Sequence, residues 1–302
     1  MFQQLGVIGC GLMGGSFALA MKKAGLVKRV IGYSKSPSTT EQAKRMGVID
    51  VIAESALLAV SGSDIVLIAV PVSATESTLK AIRHMVRPGV LFMDVGSTKC
   101  DVIEAARRVL GDRAASFVPC HPIAGKESGG IQHAEATLYE GRQVILTPQP
   151  FTDPLLVQRA TDLWSALGTT VLKMRPHNHD AAFAAVSHLP HLLAFAFFQA
   201  IAEQPDARDY LSLAGPGFRD FTRIAGGDAA VWRDILLANK HEVLAQSQRF
   251  RAALDRLEAL MNSGDAAALE AALRPISQGR AAWGSATPAA APALPSGRPA
   301  SK

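Results

Sequence analysis

The sequence predicts an α/β chain: a doubly wound sheet domain followed by an all-α domain. Three observations carry that expectation. Up to residue 173, short β-branched runs alternate with amphipathic helical stretches, the pattern of βαβ units. A glycine-rich turn joins the first of these runs to the first helical stretch. From about residue 177 the β-branched runs stop, and Ala- and Leu-rich segments with helical spacing take over. A chain of 302 residues with 48% apolar content can bury a substantial core, and its length suits two domains.

Strands are expected at 5–9, 29–33, 64–70, 89–95, 115–120, 142–147 and 169–173, with helices between them, as at 13–25, 75–86 and 154–167. The boundary is expected near Arg175-Pro176, giving domains 1–175 and 176–283. The second reads as helices over 178–203, 208–224, 228–262 and 265–282. Pro190 interrupts the first of these, freeing a carbonyl one turn back and predicting a kink. After Trp283 the chain is Ala, Pro, Ser and Gly with one large aliphatic residue, Leu294, so 284–302 is expected to be a disordered tail.

The turn after the first strand reads Gly9-Cys10-Gly11-Leu12-Met13-Gly14. The first glycine permits the tight turn, the second lets backbone approach a pyrophosphate, and the third lets the helix pack on the sheet. Because Leu5-Gly6-Val7-Ile8 precedes it and an apolar helix follows, the context is that of a Rossmann-like dinucleotide site. Gly9, Gly11, Leu12, Met13 and Gly14 are its cofactor-binding candidates. At the end of the second strand an NAD site usually carries Asp or Glu. Here the chain reads Gly32-Tyr33-Ser34-Lys35, a hydroxyl and a cation that suit a 2′-phosphate, so NADP is favoured over NAD.

Other strand ends point to the same crevice. Asp64–Val70 is stopped by Pro71, and Val70 and Pro71 are expected to wall the nicotinamide side. Leu91–Val95 runs into Gly96-Ser97-Thr98-Lys99, placing a hydroxyl at a strand tip. The run 116–120 ends at His121, an imidazole at the carboxyl edge where ligands bind in open parallel sheets. A proton acceptor beside a hydride acceptor is the minimum equipment of a dehydrogenase.

The net charge of +5 without a basic stripe argues for an anionic small ligand and against nucleic acid. Cys10, Cys100 and Cys120 are spaced unlike a disulfide framework or a metal site, and no carboxylate-histidine cluster has zinc spacing. With no basic leader and no apolar run of about 18 residues, the expectation is a cytoplasmic protein with no membrane partner.

Gly9–Gly14, Asp94-Val95-Gly96-Ser97-Thr98-Lys99 and His121-Pro122-Ile123-Ala124-Gly125-Lys126-Glu127-Ser128-Gly129 together resemble the prephenate/arogenate dehydrogenases of tyrosine biosynthesis. Ser187-His188-Leu189-Pro190-His191 and Gly217-Phe218-Arg219-Asp220-Phe221-Thr222-Arg223 extend the likeness, which runs from about residue 3 to 280. The resemblance implies NADP- or NAD-linked oxidative decarboxylation of prephenate or arogenate by a homodimer joined through the helical domain, with each active site between domains.

It also implies roles. His121 accepts the ring-hydroxyl proton. Ser97 bonds that hydroxyl, orients His121, or merely stabilises a turn. Arg223 takes the ring carboxylate, since guanidinium offers bidentate geometry. Asp220 orients that arginine or a neighbour, or is a surface ion-pair partner. His191 meets the substrate side chain, with a lean to the keto acid. Glu127 gates the pocket or meets the substrate's distal group. Trp232 packs beneath the site.

Two other readings compete. A hydroxyacid-type dehydrogenase would carry a lysine in the first helix of the helical domain, and 178–203 has none. A non-catalytic NADP sensor leaves the histidine and arginine motifs without use.

Overall fold

The computed structural model describes residues 1–285, so nearly all of the expected tail lies outside the described residues. Its first part runs β1 (Phe2–Ile8), α1 (Leu12–Lys23), β2 (Val27–Tyr33), α2 (Pro37–Arg45), β3 (Val51–Ile52), α3 (Ala56–Val60), β4 (Ile65–Ile68), α4 (Thr75–Ile82), β5 (Leu91–Asp94), α5 (Cys100–Leu110) and β6 (Phe117–Val118). These strands form one parallel sheet in the order β3-β2-β1-β4-β5-β6. Strand order reverses at β1, so a crevice opens between the carboxyl ends of β1 and β4. The four residues of β4 are all buried, as a central strand covered on both faces requires. Two-residue β3 was not expected; so short a strand leaves no periodic signal.

The strand expected over 115–120 is two strands in two sheets. Pro119 has no N–H to give the ladder, so β6 stops at Val118, and β7 (Cys120–Pro122) starts a second sheet. There β7 runs antiparallel to β8 (Gln143–Leu146), which runs parallel to β9 (Thr170–Lys173), with α6 (Pro154–Ala166) between the last two. His121 therefore lies inside a strand of the second sheet, opposite Ile145, rather than just after a strand of the first. Trp164 of α6 packs against Phe17 and Tyr139 at ring separations of 5.0 and 5.2 Å, and the Tyr139 hydroxyl donates to the Met13 carbonyl at 2.7 Å. That cluster ties the start of α1 to the second sheet.

The helical part opens with α7 (Pro176–Phe183), widens into a π turn over Ala184–His188, and continues as α8 (Leu189–Ala202). The helical path thus continues through Pro190; the wider turn lies just ahead of that residue, which lacks an N–H. Then follow α9 (Ala207–Ser212), α10 (Pro216–Thr222), a 3-10 turn over Arg223–Gly226, and α11 (Ala229–Ala238). The single helix expected over 228–262 is broken at Asn239, whose side chain is drawn into the core, and resumes as α12 (Lys240–Ser263).

Met1–Val243 form one compact unit, and a second begins at Leu244 within α12. In the second unit, α13 (Ala266–Ser285) carries Arg280 over the Trp283 ring at 4.9 Å. The 27-residue helical span Pro176–Ala202 is long and apolar enough, by length and composition, to cross a membrane. Its scattered polar residues keep any apolar run within it short while leaving the average hydropathy high. The same span carries buried His179, Asp180 and His188.

Candidate active site

The turn between β1 and α1 has the shape a dinucleotide needs. Gly9 has φ +97°, and a Cβ there would sit 2.1 Å from the Ala69 carbonyl oxygen, so glycine is required. Gly14 lies against Gly9, where a Cβ would approach the carbonyl oxygen to 2.0 Å, so helix and turn touch backbone to backbone. Gly11 has open space where a side chain would be, and it starts α1 without a side-chain cap or an acidic residue in the first turn. The free N–H groups of Leu12, Met13 and Gly14 are thus left for an anion. These features fit a dinucleotide pyrophosphate.

Val70 and Pro71 follow β4 on the far side of the crevice, where Ala69 N–H bonds the Ile8 carbonyl at 2.7 Å. Ser34, at the end of β2, turns inward: its Oγ accepts from Cys10 N–H at 2.8 Å and keeps its own proton to donate. Lys35 is exposed beside it.

His121 is buried and sits in a linear relay. Its Nδ1 lies 2.8 Å from His179 Nε2, and His179 Nδ1 lies 2.7 Å from Asp180 Oδ1. Asp180 Oδ1 also accepts from Lys99 N–H and Oδ2 from Cys100 N–H, each at 2.9 Å. The carboxylate fixes every proton along this line. Asp180 can only accept, so His179 Nδ1 donates to it and His179 Nε2 accepts. His121 Nδ1 must then be the donor, which leaves His121 Nε2 as a bare lone pair.

Burial, then the neighbouring His179, Lys99 and His188, hold His121 well below the usual histidine range, so it is neutral at pH 7. Burial pushes Asp180 up, yet the hydrogen bonds from His179, Cys100 and Lys99 outweigh it and keep the carboxyl below its ordinary value. The arrangement is that of a neutral imidazole with a fixed tautomer.

Ser97 lies at the tip of β5, but the bond that orients His121 comes from His179. Arg223 pairs with Glu127 of the 123–130 loop, both half-exposed. Among the described residues the ion pair of Arg223 is with Glu127 and none joins it to Asp220, three residues earlier in α10. His191 stacks on Trp232 with ring centres 3.4 Å apart, and its Nδ1–H donates to the Ser187 carbonyl at 2.9 Å. Asn239 bridges the Asp180 carbonyl and His188 Nδ1 at 2.8 and 3.0 Å, so His188 is a packing histidine. Ser73, two residues after Pro71, donates to Asp234 of α11 and links the segment after β4 to the helical part.

His179, Asp180 and the side-chain roles of Asp94 and Lys99 are what sequence reasoning missed. A histidine followed by an aspartate in a helix has no diagnostic spacing, and the relay forms across 58 residues. Among the described residues no group of three or more His, Cys, Asp or Glu could hold a metal.

Comparison with known proteins agrees with this architecture. The family model described as the prephenate dehydrogenase nucleotide-binding domain matches residues 17–173, and that described as the prephenate dehydrogenase dimerization domain matches 175–275. The chain is 36% identical over 260 residues to prephenate dehydrogenase of Bacillus subtilis, covering 85% of this chain and 70% of that one. It is 31% identical over 266 residues to cyclohexadienyl dehydrogenase of Zymomonas mobilis, covering 87% and 90%. The crystal structure of prephenate dehydrogenase from Aquifex aeolicus, in complex with hydroxyphenyl propionate and NAD+, superposes with TM-score 0.87 at 33% identity, covering 93% of this chain and 98% of that one.

Proposed function

The chain belongs to the prephenate dehydrogenase family, and we propose that it oxidatively decarboxylates prephenate, and arogenate where offered, in tyrosine biosynthesis. The observation that carries this reading is the Asp180–His179–His121 relay, which leaves His121 Nε2 unprotonated as an acceptor. His121 takes the proton of the ring C4 hydroxyl as C4 becomes a carbonyl. The ring carboxylate then leaves as carbon dioxide, its bonding pair aromatising the ring to a phenolate, and His121 returns the proton to that oxygen. The bound nicotinamide supplies the hydride acceptor for C4. Aromatisation drives the reaction, so the protein's work is orientation and proton handling.

Arg223 binds the ring carboxylate, exchanging Glu127 for the substrate. His191, held by Ser187 and Trp232, borders the side-chain end, and Glu127 with Asp220 lies at the rim. Ser97 donates to the C4 hydroxyl oxygen. Gly9, Gly11, Leu12, Met13 and Gly14 hold the pyrophosphate, and Val70 and Pro71 wall the nicotinamide. NADP is the preferred cofactor over NAD. The strand end at Ser34-Lys35 carries no carboxylate, and the Ser34 hydroxyl retains a proton for a 2′-phosphate.

Residues 176–283 form the substrate and dimerisation domain. The exposed aromatics Phe197, Phe198 and Phe221, together with the description of the matched family domain, support a homodimer with this face covered by a second copy rather than by lipid. Three free cysteines suit the cytoplasm.

Initial rates across the four pairings of prephenate or arogenate with NAD+ or NADP+ test the reading. Turnover in at least one pairing is expected, with kcat/KM higher for NADP+. Binding of NADP+ without reduction in any pairing would overturn it in favour of a sensor.

A further inference from the structure

We propose that the buried Asp94–Lys99 ion pair is a positioning element of the active site, gripping the main chain of Cys120 and so fixing His121 where the chain passes from one sheet to the other. The ladder between β5 and β6 ends at Met93 opposite Val118. The next residue, Pro119, has no N–H, and Cys120 follows fully buried with both its main-chain groups to satisfy.

Two side chains stand in for the missing strand neighbour. Asp94 Oδ1 accepts from Cys120 N–H at 2.9 Å, and Lys99 Nζ donates to the Cys120 carbonyl at 2.7 Å. The ring closes through the Lys99–Asp94 pair itself, and Asp94 Oδ2 also accepts from Gly96 N–H at 2.8 Å. His121 is the next residue along the chain.

The attraction between the two charges alone does not account for such a pair. A buried ion pair is often matched or bettered by apolar side chains of similar volume. Here, however, apolar substitutes would leave the Cys120 N–H and carbonyl unpaired in the core. The pair also sets the field at the base. The groups facing His121 are His179 from α7, His188 from the π turn and Lys99 from the start of α5, with Asp180 behind His179 and Asp94 behind Lys99. The Lys99 ammonium disfavours a proton on His121, reinforcing the effect of burial, and so keeps Nε2 free to accept one.

The proposal rests on His121 being the base. Its test is the pH profile of kcat/KM in Lys99→Met and in the double variant Asp94→Asn/Lys99→Met, with NADP+ affinity and thermal unfolding measured alongside. The double variant leaves no orphaned carboxylate and answers the question if the single one does not fold. In the folded variants the acid limb should move up by about one pH unit, with kcat lowered about tenfold and NADP+ affinity kept within about twofold. An unmoved limb, or cofactor affinity falling in step with kcat, would overturn it and leave the pair a part of the scaffold. The base assignment fails separately: His121→Asn with wild-type turnover would sink that reading, whereas an unmoved limb beside an inactive His121→Asn sinks this proposal alone.

Discussion

Replacing His179 with leucine takes away the acceptor that fixes the His121 tautomer while keeping the volume filled. In the intact protein His121 Nδ1–H donates over 2.8 Å to a nitrogen whose ring is itself anchored to Asp180 over 2.7 Å. A buried hydrogen bond backed by a carboxylate is worth about 1.5–3 kcal/mol. Without it, the tautomer with its proton on Nε2 competes, and that tautomer cannot accept the hydroxyl proton. At 1.36 kcal/mol per decade, the expected fall in kcat is about 10- to 100-fold.

Asp180 keeps its bonds to the Lys99 and Cys100 amides, so the start of α5 should hold its place. KM for the dinucleotide should hardly change, because no atom of the Gly9–Gly14 turn bonds to the relay. Steady-state rates followed by nicotinamide absorbance, with circular dichroism to establish folding, make the test. A folded variant whose kcat stays within about twofold of the parent would refute the tautomer argument.

Three further substitutions probe the rest of the site. Arg223→Gln should raise KM for the ring substrate about 10- to 100-fold with a smaller change in kcat, the loss of one charge-assisted carboxylate contact; an unchanged KM would remove Arg223 from that role. Ser34→Asp should shift the kcat/KM ratio toward NAD+, and no shift would mean that Ser34 does not face the 2′ position. The third concerns His188, which burial pushes down from 6.5 to about 4. The unfolded chain then binds the extra proton between those values, so stability is intact above pH 6.5 and is lost as pH falls toward 4. From pH 7 to pH 5 this group should cost about 2 kcal/mol, a slope that urea titrations should find reduced in His188→Gln. Equal slopes in parent and variant would contradict the assignment.

The sheet domain was largely legible because alternation of β-branched runs and helices is a strong, local signal, and the Gly9–Gly14 turn is dictated by close backbone approach. His121 was legible as a strand-edge imidazole, although Pro119 moves it into a second sheet. What escaped was whatever depends on residues distant in sequence meeting in space. His179 and Asp180 look like ordinary polar residues of a helix, and only the packing of α7 against β7 makes them a relay. Lys99 reads as a loop cation until its full burial against Asp94 is seen. The pairing of Arg223 with Glu127 rather than Asp220 spans 96 residues, which local spacing cannot reveal.

The most direct test of the account is His121→Asn, measured for turnover and for NADP+ binding on the same preparation. Asparagine can still bond His179 but offers no basic nitrogen at the Nε2 position. The account predicts that kcat falls by about 10²- to 10⁴-fold, the usual worth of a general base, while NADP+ affinity is kept. Turnover near that of the parent would contradict the base assignment, and parallel loss of cofactor binding would show that His121 holds the fold rather than the proton.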